Sequence, residues 1–338
     1  MNILYAASLG PGTALHRLRA LERLGHQITP FDYRPFEESG NSLSRRLRRR
    51  LLVGPKVTRL NRELRVTVEN GAFDLVWLDK AQWVHPGTVA ALTAAGHRLV
   101  HYSSDLPSGV RGDPGWRLLR KAIRHYSAVI VPSRGHTDEY RALGARTIVR
   151  MPFGFEPTVH FLPPPSWSDA NRSYDVTFIG TPYEDRPAFL LRLARAHGIR
   201  VKVFGDLWDR HLNAEEMRLL QVEPGVYETA YREAVWRSRI CLGFVTHAMA
   251  HGSARRWSEI TACGGFLLAE RTTEATEWFE EDCEAALFGD ESECVAKIRH
   301  YLAHPQERLA IAAAGARRTH QRRSNDQLMD EVLTTLAL

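Results

Sequence analysis

Short apolar runs alternate with helix-length segments through the first part of the chain: NILYAA, TALHRLRALERLG, HQITPFD, then FDLVWLD, VAALTAAG, RLVHYS, LLRKAIRHY, AVIVPS, HTDEYRALG and RTIVRMP. Such alternation restricts the fold to an α/β type with a parallel sheet, because parallel strands need crossover connections. The strand-like runs are almost continuously apolar, as expected when helices cover both faces. MPFGFEPTVHFLPPPSWSDANRS, residues 151–173, carries Pro152, Pro157, Pro163, Pro164 and Pro165 without periodicity and reads as an interdomain linker. The pattern then restarts with YDVTFIG, RPAFLLRLARAHG, RVKVFG and RICLGFV, and the tail from VAKIRHYLAH onward is helical. A length of 338 residues agrees with two domains of this kind.

The bulk numbers exclude several classes. Hydrophobic content of 44% and charged content of 25% fit a soluble globular chain and not a disordered one. No apolar run reaches the ~18–20 residues of a membrane helix. MNILYAASLG lacks the basic start and apolar length of a signal peptide, so a cytoplasmic location is expected. Cys241, Cys263, Cys283 and Cys294 have no paired spacing and read as reduced thiols, neither metal ligands nor a disulfide framework. The net charge of +6 points to anionic partners. Much of the excess is local: residues 42–65 hold nine Lys or Arg against Glu63, with Leu43, Leu47, Leu51 and Leu52 near helical spacing. A solvated helix packing its leucines on the domain is the first reading, and a grip on an acidic acceptor or a membrane surface is the second. Nucleic acid is not the expected partner.

Four motifs are candidate sites. LGPGTALHR, residues 9–17, is a turn between the first strand and first helix, where the amides around Gly10 and Gly12 can approach an anion. It lacks the third glycine of a dinucleotide fingerprint, although Asp32 stands where such a fold puts a ribose ligand. HYSSDLPSG, residues 101–109, puts polar groups at a strand's C-terminal end, so Asp105 and His101 are candidates. Their plainer roles are a turn residue and a core histidine. FIGTPYEDR, residues 178–186, repeats the strand-then-glycine geometry with Gly180 and Thr181.

HGSARRWSEITACGGFLLAE, residues 251–270, reads as a helix from about 254 to 263 with Ser253 as N-cap and glycines as the stop. Arg255 and Arg256 then fall where the helix already presents partial positive charge. An intrahelical pair with Glu259 explains this weakly, since such pairs contribute about 0.2–0.5 kcal/mol. A bound anion explains it better: guanidinium and free amides on a diphosphate, and the carboxylate one turn on accepting from ribose hydroxyls.

Taken in order, YDVTFIGTPYEDR, VYETAYREAVWRSRICLGF, RRWSEITACGGFLLAE and FEEDCEAALFGDESECVAKIRHYL resemble the C-terminal domain of group 1 glycosyltransferases. With FDLVWLDKAQWVHPGTVAALTAAGHRLVHYSSDLP and MPFGFEPTVH upstream, the chain is most similar to the spore-maturation CgeB-like branch. The resemblance implies a GT-B fold: two Rossmann-like domains facing across a cleft, with a C-terminal helix crossing back to the first. The domains expected are 1–155, with a basic helical insertion at about 42–70, a linker at 156–173, a nucleotide-sugar domain at 174–320, and a final helix at 321–338. The resemblance implies that Glu259 binds the donor ribose, Arg256 lies beside it, Gly225, Val226 and Tyr227 run near the base, and Asp105 stands at the reaction centre. Ser258, next to Trp257, replaces the family's aromatic residue, and His251 replaces a glutamate eight positions before Glu259.

The function expected is transfer of a hexosyl or pentosyl group from a nucleoside diphosphate-sugar to an unidentified acceptor, with no required cofactor or metal. Asp105 and His101 are the catalytic candidates. The donor-binding candidates are Gly10, Gly12, Gly180, Thr181, Val226, Tyr227, His251, Ser253, Arg256 and Glu259. The alternatives are a nucleotide-sugar epimerase, an NAD-dependent enzyme on a related fold, and a binding module without turnover.

Overall fold

Each half of the chain builds a parallel sheet from its apolar runs and covers both faces with the intervening helices. The structure is a computed structural model describing residues 1–37, 51–107, 114–247 and 252–338. Unit 1 comprises Met1–Pro152 and resumes at Asn325–Leu338, and unit 2 comprises Phe153–His247 and Gly252–Ser324.

In unit 1 the strands are β1 (Asn2–Ala7), β2 (Gln27–Asp32), β3 (Leu75–Asp79), β4 (Leu99–Tyr102), β5 (Ala128–Val131) and β6 (Ile148–Arg150). The helices are α1 (Thr13–Arg23), α2 (Arg34–Glu37), α3 (Pro55–Asn70), α4 (Pro86–Ala94), α5 (Arg117–Ala122) and α6 (Arg134–Ala142). All pairings are parallel, in the order β2-β1-β3-β4-β5-β6. Pro30 is tolerated because β2 is an edge strand. The period of two sends Leu4, Ala6, Val76 and Leu78 to one face, against Val57, Leu60, Leu64 and Leu92 of α3 and α4. It sends Ile3, Tyr5, Leu75 and Trp77 to the other, against Leu18 and Leu21 of α1.

Unit 2 carries β7 (Tyr174–Ile179), β8 (Val201–Phe204), β9 (Val222–Glu223), β10 (Ser238–Gly243), β11 (Leu267–Glu270) and β12 (Ala286–Phe288). Its helices are α7 (Arg186–Arg195), α8 (Ala214–Leu219), α9 (Glu228–Trp236), α10 (Arg255–Ala262), α11 (Thr273–Trp278), α12 (Glu291–Ala303) and α13 (Pro305–Arg322). The order is β12-β11-β10-β7-β8-β9, again all parallel. The last helix, α14 (Asn325–Thr335), belongs to unit 1, where Leu328, Met329, Val332 and Leu333 join the core beside α1. Arg23 of α1 makes an ion pair with Asp326 of α14.

The proline-rich stretch packs as part of unit 2. Phe153, Phe155 and Val159 are buried between its prolines, and Trp167 Nε1 donates to the Trp236 carbonyl at 3.1 Å. Composition marks this stretch as irregular, but its aromatic residues give it a surface to bury. Cys241, Cys263 and Cys294 are buried, Cys283 is exposed, and all four are free thiols. Among the described residues no helix is long and apolar enough to cross a membrane.

Candidate functional site

Open α/β sheets bind ligands beyond the C-terminal ends of the strands, at the point where the strand order reverses direction. In unit 1 that point lies between β1 and β3, and in unit 2 between β7 and β10. The candidate residues can therefore be judged by what they do at these two places.

At the unit 2 point, the loop after β7 opens with Gly180, whose amide donates to the Phe204 carbonyl and whose carbonyl accepts from Trp208 Nε1, both at 2.9 Å. The neighbouring loop after β8 comes so close that a Cβ on Gly205 would lie 2.0 Å from the Gly180 oxygen, so a side chain there is excluded. Arg186, the first residue of α7, sends its guanidinium back across the strand ends. NH2 donates to the Val245 carbonyl at 2.8 Å and to Thr246 Oγ1 at 3.1 Å, and NH1 lies 3.4 Å from the Thr181 carbonyl. Burial lowers the pKa of this guanidinium despite the nearby Glu184 and Glu270. Glu270, ending β11, accepts from the Val245 amide at 2.6 Å, and burial raises its pKa. His247 stands between two carboxylates, 3.2 Å from Glu184 Oε2 and 3.6 Å from Glu270 Oε1.

The helix with the two arginines is α10. Ala254, not Ser253, is its N-cap, and among the described residues no side chain caps it. The Ser253 hydroxyl is buried and has no hydrogen-bond partner among the described residues. The correction has a local cause: Thr272, the cap of α11, donates to the Gly252 carbonyl and fixes the chain just before Ser253. Arg256 NH1 donates to Glu259 Oε2 at 2.7 Å, and its guanidinium lies 4.6 Å from the centre of the Tyr231 ring. The Arg256 side chain keeps 35% of its exposure, and that of Glu259 keeps 6%. Burial pushes the Glu259 pKa up, but Arg256, then His160 and Arg255, outweigh it and hold the carboxyl near about 2. The site thus offers a carboxylate held in its ionised form by its neighbours and a half-covered guanidinium one turn apart.

The departures at Trp257 and Ser258 have structural work. Trp257 is buried edge-on to Trp278 at 5.9 Å, and Ser258 Oγ donates to the Phe153 carbonyl at 2.8 Å. Nearby, Asp206 accepts from the Gly225 amide at 3.0 Å and from the Tyr227 hydroxyl at 2.8 Å, leaving the Tyr227 ring exposed and Val226 half-buried. His251 lies outside the described residues.

At the unit 1 point, Gly12 precedes α1 with φ of +132°, a conformation that disfavours any side chain. Asp32 is already engaged within unit 1. It accepts from the Leu9 amide at 3.1 Å and from Arg34 Nε at 2.8 Å, bracing the glycine loop against α2. The expectation of a catalytic His101 is corrected: the ring is fully buried beside Tyr126 and Tyr140, and burial lowers its pKa to about 3. The period of β4 sends it into the core, where it stays neutral and away from solvent. Asp105 is at the strand end, 28% exposed, and pairs with Lys80 at 2.5 Å. Its amide donates to Ser103 Oγ at 3.0 Å, which fixes the turn. Beneath these residues, Arg17 of α1 pairs with Asp79 at 2.6 Å, Tyr5 donates to the same carboxylate at 2.8 Å, and Tyr102 lies 4.2 Å under the guanidinium.

Sequence reasoning missed Arg186, Asp206, Tyr231, and the Glu184–His247–Glu270 group. The one signal for Arg186 was its place at the start of a helix after the Gly180 turn, which is also where Arg256 drew attention.

Residues 186–334 match the family model described as glycosyl transferase-like. No curated protein sequence matches the chain. Among solved structures, the chain is similar to Anabaena Alr3699/HepE in complex with UDP, with TM-score 0.66, 17% identity and 100% of both chains covered. It is also similar to sucrose-phosphate synthase from Thermosynechococcus elongatus, with TM-score 0.70, 12% identity and coverage of 100% and 98%. AviGT4, a glycosyltransferase of avilamycin A biosynthesis, aligns with TM-score 0.62, 13% identity and coverage of 100% and 97%. The fold is GT-B, and residues 186–334 are similar to the glycosyl transferase-like family.

Proposed function

We propose that the protein is a glycosyltransferase that moves a hexosyl or pentosyl group from a nucleoside diphosphate-sugar to an acceptor. The observation that carries this reading is the Arg256–Glu259 pair at an uncapped helix start in a glycosyl transferase-like domain. The solved Anabaena protein holds UDP, so a UDP-sugar is the donor assigned here. Glu259, held ionised, accepts from the ribose hydroxyls. Arg256 and the first amides of α10 take the diphosphate, where charge develops as the sugar leaves. Val226 and Tyr227 line the base, and Gly180, Thr181 and the Ser253 hydroxyl complete the donor side. Gly10 and Gly12 offer further amides, and His251 stands at the position of the family's second carboxylate. In this scheme the guanidinium and amides stabilise the leaving group, so no metal or cofactor is required.

Asp105 is assigned the chemical step, as general base or as hydrogen-bond partner of the sugar. A binding module without turnover is the second reading, favoured by the Lys80 cation on Asp105 and by His251 in place of a carboxylate. The finer placement within the CgeB-like branch rests on the motifs quoted above. The acceptor is assigned to unit 1, with the basic stretch 42–65 as its acidic-ligand or membrane-peripheral surface. Arg46, Arg49 and Arg50 of that stretch, together with Leu43 and Leu47, lie outside the described residues.

Calorimetry with UDP, GDP and TDP, followed by a UDP-release assay over an acceptor panel, tests the reading. UDP binding with acceptor-dependent UDP release is expected, and Asp105→Asn should lower that rate about 10²–10⁴-fold with UDP affinity unchanged. Binding without release from any acceptor favours the module, and absence of nucleotide binding removes the proposal.

A further inference from the structure

At the corner between α12 and α13 the sequence HYLAHPQE brings two imidazoles and a carboxylate together, away from every residue discussed above. His300 lies in the last turn of α12 and His304 caps that helix, with their rings stacked at 4.2 Å and 24°. Glu307, in the first turn of α13, reaches back to His300 Nε2 at 2.8 Å. One ligand atom from each residue lies within 4.8 Å of the others.

We propose that His300, His304 and Glu307 form a divalent metal site of the zinc type. His304 Nδ1 lies 2.7 Å from the His300 carbonyl, so it carries the proton, and the Nε2 lone pair is left for a metal. Two neutral imidazoles and one carboxylate are borderline ligands: too rich in nitrogen for calcium or magnesium, and without the thiolates that select copper(I). Three protein ligands leave a fourth tetrahedral position for water. Tetrahedral zinc bonds of about 2.0–2.2 Å put ligand atoms roughly 3.4 Å apart, so separations of up to 4.8 Å close by about 1.4 Å at most and the 2.8 Å His300–Glu307 contact opens slightly, within reach of exposed side chains on a fixed backbone.

The backbone there is fixed. Arg308, only 1% exposed, donates to the Tyr301 carbonyl of α12 and to Asp169 Oδ1 at 2.6 Å, bracing the corner from inside. Pro305 sets the first residue of α13 in helical conformation. Because α12 starts just after β12 and runs back along the parallel sheet, its last turn lies at the opposite edge from the strand ends that carry the donor candidates. The ion therefore clasps two helices and takes no part in sugar transfer.

The test is a titration of the metal-free full chain with zinc alone, against a chromophoric competitor chelator that suppresses weak binding by the other histidines. One zinc per chain, a raised Tm and unchanged UDP affinity are expected. His300→Gln, His304→Gln and Glu307→Gln should each weaken that site at least about tenfold. Cobalt should give the absorption of a tetrahedral ion in the wild type and lose it in the His300→Gln/His304→Gln double variant. All three residues are exposed, so these variants keep the fold. Equal zinc affinity in the wild type and the double variant, or no zinc above the competitor's threshold, overturns the proposal.

Discussion

The two sheet reversals look alike in topology and differ in how they handle charge. Between β1 and β3, Arg17 and Asp79 form a closed pair: both are buried, Tyr5 donates to the carboxylate and Tyr102 covers the guanidinium. Around β7 and β10, Arg186 donates to carbonyls and a hydroxyl and lies over the Phe178 and Tyr183 rings, with no ion pair among the described residues, and Arg256 keeps part of its surface in solvent while paired to Glu259. The unit 1 pair holds β3 to α1, while Lys80 and Asp105 at the strand ends stay partly exposed. Unit 2 has left cationic capacity at the place where an anion would bind. On the proposed reading, similar folds separate a structural ion pair from a binding one by exposure and by the number of partners each charge already has.

The largest effect should come from breaking the closed pair. Arg17→Met leaves Asp79 buried without its counter-charge, and such a loss costs about 3–5 kcal/mol. Urea unfolding should show that drop, with UDP affinity of the folded protein unchanged, and Arg17→Met/Asp79→Leu should recover much of it. A variant that keeps its stability but loses nucleotide would invert the comparison.

A middle effect is expected in unit 2. Glu259→Gln should weaken UDP binding by about 1–3 kcal/mol, the cost of removing charge-assisted hydrogen bonds to the ribose. If Arg256 serves the diphosphate, Arg256→Ala should weaken UDP far more than uridine. Calorimetry with both ligands checks the split, and equal losses for UDP and uridine would mean that Arg256 acts only by holding Glu259.

Much of this fold was legible because α/β alternation is local. Every strand of both sheets but β9 lies in or beside an apolar run, β9 (Val222–Glu223) falls in a polar stretch that carries no strand signal, and Pro30 marks an edge. The strand orders were not legible, since pairing β1 with β3 or β7 with β10 joins residues far apart in the chain. The same distance hid the Arg17–Asp79 pair, 62 residues apart, and the Arg186–Val245 contact, 59 apart. Glu259 and Arg256 were visible because both lie on one helix. Ser253 misled because a serine before a helix is a good cap in general, and here Thr272 holds the chain so that Ala254 takes the position. His101 and Asp32 had polar side chains at plausible strand positions, but only packing shows one facing the core and the other engaged by Arg34.

A smaller effect follows from pH. Glu259 has a folded pKa of about 2, below the ~4.3 of an unfolded glutamate, so its contribution to stability is fully present above about pH 4.3. It is lost as pH falls toward 2. Glu259→Gln lacks this titration, so the stability difference between wild type and variant should shrink between pH 5 and pH 3. Arg256 is partly exposed, and solvent screening keeps the change modest. A difference that is flat over this range would mean that the pair is too well solvated to matter.

The smallest effect belongs to α3, the described part of the basic stretch, and it extends the comparison to the surface. Val57, Leu60, Leu64 and Val68 face the core, while Arg59 pairs with Glu63 and Arg65 with Glu69 across exposed turns, both at 2.6 Å. Pairs of this kind contribute about 0.3–0.5 kcal/mol each, so Glu63→Gln/Glu69→Gln should shift unfolding by less than about 1 kcal/mol. The substitution also frees two arginines and makes the face more positive. If this face takes an acidic acceptor or anionic lipid, binding to vesicles containing anionic lipid, or to the acceptor, should tighten at low salt. The gain should fade as the Debye length drops from about 10 Å at 0.1 M to 3 Å at 1 M. UDP affinity should not change. Vesicle and acceptor binding that ignore the substitution at low salt would leave α3 as a solvated helix whose charges, like those of Arg17 and Asp79, serve only their own unit.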